Sequence, residues 1–196
     1  MEAIRIIEDE HQSLAAILHA VRYMLKEIGK GKLAPDFRLL RAMVHYLDAY
    51  PEQRHHPKED QYLFALLKQR TDEGAEAMAR LEQEHAGGEA RIKALETALH
   101  LYASGDRDGF DAFNRAFENF ADFYRNHMLL EEREVLPLCR KHFTDEDWEA
   151  VAAGFRENND PMGGTRETED FQRIFSKLVA AAPPPIGLGA GPYKDD

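Results

Sequence analysis

One cysteine, Cys139, is all that the 196-residue chain contains. A lone thiol excludes an intrachain disulfide and any thiolate metal cage supplied by one chain, so a metal site here has to be built from nitrogen and oxygen donors. Long apolar runs are missing too. Nothing approaches the ~18 residues that a membrane-spanning helix needs, and the segment from Met1 to Glu10 is too acidic and too short in apolar length for a signal peptide. The expectation is a soluble, cytoplasmic protein with no membrane partner. Basic residues are in the minority, 25 Lys and Arg against 36 Asp and Glu. The net charge of −11 leaves little means of assembling the basic face that nucleic acid requires, and it suits cations. No strand-like alternation or hairpin dipeptide competes with a helical reading either.

What is present is helical periodicity. Ile4, Ile7, Leu14, Ile17, Leu18, Val21, Leu25 and Ile28 recur at three- and four-residue steps, and Gly29-Lys30-Gly31 ends this first helix. A second helix starts near Asp36 and runs through Phe37, Leu40, Val44 and Leu47 toward Leu66. Pro51 and Pro57 predict a kink or short break in it, because each removes a backbone donor and crowds the preceding turn. Thr71 or Asp72 caps a third helix through Met78, Leu81, Ile92, Leu95 and Leu99 to Ser104-Gly105. Asp106 caps a fourth, whose stripe of Phe110, Phe113, Phe117, Phe120, Phe123 and Tyr124 reads as core.

Thr144-Asp145-Glu146-Asp147 has the form of a capping box ahead of a fifth helix around Trp148, Val151 and Phe155, and Thr165 opens a sixth through Phe171 to Val179. The pattern predicts an all-α, up-and-down four-helix bundle with two additional C-terminal helices. Its divisions are a bundle over 1–143, a helical extension over 144–182 and a Pro/Gly-rich tail over 183–196.

An internal repeat carries the chemistry. Ile7-Glu-Asp-Glu-His11 matches Leu81-Glu-Gln-Glu-His85, and His55-His-Pro-Lys-Glu-Asp60 matches His127-Met-Leu-Leu-Glu-Glu132 at its first, fifth and sixth positions. Each half thus gives one histidine from its first helix and His-x-x-x-Glu from its second, a spacing that puts both side chains on one helix face. Four histidines and two glutamates aimed into a bundle core are costly unless they are paired, and bound cations remove that cost. One carboxylate from each half suits a bridge between two metals, so the predicted centre is dinuclear. With imidazole and carboxylate donors iron is the best compromise, and manganese or zinc follow. His56 and Asp60 repeat the four-residue spacing one step round the helix. They are alternatives to His55 and Glu59, expected to lie outside the first ligand set, and Glu132 stands in the same relation to Glu131. Gly87-Gly88 inside the third helix costs about 2 kcal/mol relative to alanine, and predicts either a close approach beside His85 or a local kink.

These motifs resemble the hemerythrin-like, His-His-Glu cation-binding family from about Ile4 to Pro137. They are Glu-His in the first and third helices, His-His-x-Lys-Glu-Asp-x-x-Leu-Phe in the second, and His-x-x-x-Glu-Glu with Leu-Pro in the fourth. The resemblance implies a bundle of hemerythrin type in which His11, His55, His85 and His127 are terminal ligands. It also implies that Glu59 and Glu131 bridge two iron ions, with an oxo or hydroxo bridge beside the carboxylates. Oxygen-carrying hemerythrins are similar but have a further histidine where this chain has Glu89; the ligand set looks more like that of repair-of-iron-centres proteins, with Glu10 and Glu84 beside the ligands. Two classes of function follow. One is a protein that binds or responds to O2, NO or peroxide, or handles iron under oxidative or nitrosative stress. The other is a di-iron oxidase, peroxidase or NO reductase. Homo-oligomerisation is open to either.

Overall fold

Ile4, Ile7, Leu14, Ile17, Val21 and Leu25 all face inward from α1 (Glu2–Gly29), the first helix of the computed structural model, which describes residues 2–156. Their spacing gives the helix one apolar face, and burying that face is what stabilises it. Gly31, at φ 67°, takes the left-handed conformation that turns the chain out of the helix.

Residues 37–70 form the second rod, in five segments: α2 (Phe37–Leu47), π1 (Asp48–His55), α3 (His56–Lys58), π2 (Glu59–Phe64) and α4 (Ala65–Arg70). Asp36 caps it by accepting from the backbone N–H groups of Arg38 and Leu39, both at 3.0 Å. The kink predicted at Pro51 and Pro57 is realised as widening. A proline crowds the carbonyl four residues before it, and the wider turn of π1 relieves both prolines without ending the rod.

The third rod is broken at Gly87 into α5 (Ala75–Ala86) and α6 (Gly88–Ala103). The fourth comprises α7 (Gly109–Leu130), π3 (Glu131–Val135) and α8 (Leu136–His142), and again the wide turn precedes a proline, Pro137. The phenylalanine stripe is core: Phe113 and Phe117 are fully buried, while Phe110 and Phe123 pack against the cluster from its margin. The capping box is realised in α9 (Asp145–Arg156). Thr144 N–H donates to Asp147 Oδ2 at 2.9 Å, and Asp147 N–H donates to Thr144 Oγ at 3.2 Å. This helix packs on α1 and π2. The second C-terminal helix and the Pro/Gly-rich tail expected beyond it lie outside the described residues.

The four rods make an up-and-down bundle with two apolar clusters. One contains Leu14, Ile17, Leu47, Ile92 and Phe117; the other contains Ile7, Leu63, Leu81, Val135 and Trp148. On every rod the histidines and glutamates of the repeat fall between a residue of one cluster and a residue of the other. The bundle therefore holds a polar layer sealed on two sides by hydrocarbon. Among the described residues no helix is long and apolar enough to cross a membrane.

Candidate metal centre

Six residues of the repeat converge in that layer. His11 comes from α1, His55 from the end of π1, Glu59 from the start of π2, His85 from α5, His127 from α7 and Glu131 from the start of π3. Both glutamates thus open a π-helical segment, a departure from α geometry that recurs at functional sites. Glu59 and Glu131 are fully buried, and none of their four carboxylate oxygens has a hydrogen-bond partner. A buried carboxylate in that condition costs several kcal/mol unless a cation meets it.

The imidazoles meet in pairs. His11 Nε2 and His55 Nε2 are 3.2 Å apart, and so are His85 Nε2 and His127 Nε2. Each glutamate presents one oxygen to each pair. Glu59 Oε1 lies 3.0 Å from His55 Nε2 and 3.8 Å from His11 Nε2, while its Oε2 lies 3.5 Å from His85 Nε2. Glu131 Oε2 lies 3.2 Å from His11 Nε2, while its Oε1 lies 3.5 Å from His127 Nε2 and 4.0 Å from His85 Nε2. Two groups of ligand atoms result, each with its atoms within 4.8 Å of one another: His11, His55, Glu59 and Glu131 in one, and His56, Glu59, His85 and His127 in the other. Both can hold a metal ion. The donor chemistry and the unpartnered oxygens fit a two-metal centre.

Four further acids stand behind the rings. His55 Nδ1–H donates to Glu10 at 2.5 Å and His127 Nδ1–H to Glu84 at 2.9 Å, both within one half of the repeat. His11 Nδ1–H donates to Glu132 at 3.1 Å and His85 Nδ1–H to Asp60 at 2.8 Å, both across the halves. A carboxylate that takes the Nδ1 proton fixes the tautomer, orients the ring and leaves the Nε2 lone pair facing inward. Asp60 and Glu132, neighbours of the central glutamates, therefore act through histidines.

The electrostatics report the same acidic cage. Burial disfavours a charged His11, yet Glu131, Glu132 and Glu59 together outweigh it and hold its pKa well above the ordinary value. Burial works against His55 in the same way, and Glu59 and Glu10 nevertheless raise it to about 10. His85 is raised, against its burial, by Asp60 and Glu59. Burial opposes ionisation of Glu59 too, but His55 and His11 draw its pKa well below the usual carboxylate range. Metal ligation needs these imidazoles neutral, so a cation bound among the Nε2 atoms would take the place of protons.

Three features escape a motif-level reading. His56, expected outside the ligand set, is buried and sits in the second group of ligand atoms. Glu52 and Tyr124 join it: His56 Nδ1–H donates to Glu52 Oε2 at 3.2 Å, and the Tyr124 hydroxyl donates to Glu52 Oε1. Burial pushes the His56 pKa well down, helped by the neighbouring His85, and burial also raises Glu52. The signal was in the sequence, because Glu52 precedes His56 by four residues and so shares its face. Gly88 explains the glycine pair in part, since a Cβ there would land on the Glu52 carboxylate. Glu89, by contrast, is exposed and belongs to neither group of ligand atoms, because the helix is interrupted at Gly87, between His85 and Glu89. From the C-terminal side, Phe155 of α9 sets its ring edge against His55, 5.9 Å between centroids.

Comparison with known proteins gives a family. The model of the hemerythrin HHE cation binding domain matches residues 2–139. No curated protein and no solved structure matches the chain.

Proposed function

The chain belongs to the hemerythrin HHE cation-binding domain family, and from that premise we propose that it carries a dinuclear non-haem iron centre with which it binds or responds to O2, NO or peroxide. His11 and His55 hold one iron, His85 and His127 the other, and Glu59 and Glu131 bridge the two. One observation carries this reading: each buried glutamate turns one oxygen to each imidazole pair. Imidazole with carboxylate favours iron, with manganese or zinc as substitutes. Iron bound there would supply a redox-active position able to take a small molecule.

The chain's own residues do the rest. Glu10, Asp60, Glu84 and Glu132 keep the Nδ1 protons and hold the rings in place. Ile7, Phe64 and Phe155, each buried, help to keep bulk water from the layer. In this reading the metal-binding unit spans 1–143, with α9 packed against it. A cytoplasmic setting belongs to the same proposal, in keeping with a chain whose single cysteine can form no disulfide within it.

The test is anaerobic purification, metal analysis and stopped-flow spectroscopy of the reduced protein with O2, NO and peroxide. Two irons per chain and a saturable spectral change are expected, in wild type and in Glu89→Ala alike, since Glu89 is exposed. One metal per chain, with zinc persisting after growth in iron-rich medium, defeats the di-iron reading. Two irons with no spectral change defeats the small-molecule reading and leaves iron handling. Multiple turnovers with an electron donor identify an oxidase, peroxidase or NO reductase instead of a binder.

A further inference from the structure

The six residues assigned above leave one buried imidazole in the same layer without a role. His56 is 3% exposed, and its ring centroid lies 4.3 Å from that of His85 and 5.0 Å from that of His127. One of its nitrogens is within 4.8 Å of ligand atoms of Glu59, His85 and His127. Apolar packing alone gives no reason for a polar ring at this position. In the repeat, the counterpart of His56 is Met128, which fills comparable buried space with no imidazole nitrogen.

The support behind His56 matches the support behind the other four rings. Glu52 accepts its Nδ1–H, as Glu10, Asp60, Glu84 and Glu132 accept theirs, a bond that leaves Nε2 as the nitrogen with a lone pair to give to a cation. Glu52 is itself held, because its second oxygen takes the hydroxyl of the fully buried Tyr124. Its approach depends on Gly88, where any Cβ would collide with the carboxylate. The arrangement has no equal in the other half of the repeat, where Tyr124 itself stands at the position of Glu52 and Met128 at that of His56.

We propose that His56 is a fifth imidazole donor, serving the metal position beside His85 and His127, and that Glu52 and Tyr124 position it. The two metal positions are then chemically unequal, one with three imidazoles and the other with two. This rests on the dinuclear reading above, deepens it, and can fail separately from it.

The experiment uses the full chain loaded anaerobically with iron, and reads Mössbauer spectra and release rates to a competing chelator. Wild type should give two distinct iron signals of equal area. His56→Met, which installs the counterpart residue and a poor donor for iron, should make the signals converge. It should also speed the release of one metal by at least about tenfold, since loss of a group behind a ligand already costs 10- to 100-fold. Tyr124→Phe and Glu52→Gln keep His56 and should speed release of the same metal by a smaller factor. If wild type binds fewer than two metals, the dinuclear reading fails and takes this one with it. If wild type binds two while His56→Met keeps both signals and both rates, His56 is only a stacking ring and the proposal alone is overturned. Should His56→Met not fold, as judged by circular dichroism of the metal-free chain, the Tyr124 and Glu52 variants decide. Unchanged release in both overturns the proposal.

Discussion

Replacing Glu10 with alanine removes the acid to which His55 donates at 2.5 Å, without touching a proposed ligand. The loss of such a partner costs a bound metal 10- to 100-fold in affinity, about 1.4–2.7 kcal/mol. Where a given acid falls depends on whether water can replace it. Glu10 is 6% exposed and its partner 5%, so no solvent stands ready, and the upper end of that range is expected for the metal beside His55. Glu132 does the same for His11, but at 3.1 Å and with its side chain 42% exposed. Water can take over there, and Glu132→Ala should cost under about 1 kcal/mol, as exposed pairs do. Glu84, 16% exposed, should fall between them. Alanine is a good helix former, so α1 itself should persist. The assay is anaerobic competition with a chromophoric chelator, with circular dichroism of each metal-free variant as the control for folding. Equal losses in Glu10→Ala and Glu132→Ala, or no loss in either, would refute the idea that these acids act by orienting buried rings.

Three other outcomes are expected. Glu59→Ala and Glu131→Ala should each strip both metals, because each carboxylate serves both pairs, whereas His11→Ala should chiefly lose one; metal analysis of the purified variants gives the ranking, and retention of one metal in both glutamate variants contradicts the bridging assignment. Gly88→Ala would ordinarily gain up to about 1 kcal/mol in a helix, but here the new Cβ displaces Glu52 from its two partners, so a net loss of about 1–3 kcal/mol is expected. That corresponds to a fall of several degrees in the melting temperature of the metal-free chain, and a rise would count against the close approach. In acid, Asp147 is held at about 2, first by Arg70. A lowered carboxylate contributes stability that is complete above its unfolded value near 3.8 and is lost as the pH falls through about 2. Arg70 is 42% exposed, so the gain is discounted to about 1 kcal/mol. The urea midpoints of wild type and Arg70→Ala should therefore differ at pH 5 and converge toward pH 2, and a constant gap would argue against the pairing.

The bundle was legible because its information is local. Apolar spacing marked the four rods, and Asp36 and Thr144-Asp147 cap as their side chains dictate. The six residues of the repeat were legible because their positions recur. What the pattern hid depends on contacts between rods. Pro51 and Pro57 read as a kink or short break, and burial of Tyr50, His55 and Leu63 on either side decides its form, because the rod stays together and the strain spreads into wider turns. Tyr124 belonged to an aromatic stripe, and nothing local separates a tyrosine that ends in hydrocarbon from one whose hydroxyl meets Glu52 across the bundle. The place of Glu89 was obscured for a related reason: spacing of four puts it beside His85 only if the helix is continuous, and Gly87 interrupts it.

The crossed pattern of acids behind the histidines bears on how the duplicated halves depend on each other. Residues 1–70 contain His11 and His55 but only the acid for His55; residues 71–156 contain His85 and His127 but only the acid for His127. The missing acid of each half is lent by the other, Glu132 to His11 and Asp60 to His85. Neither hairpin alone is therefore a finished metal binder, and each holds the acid that the other's first histidine needs, Asp60 standing at the repeat position of Glu132. Cut between Arg70 and Ala75, the chain would become a two-piece clasp whose parts regain their full set of oriented rings only on meeting, so that assembly and metal capture would be a single event.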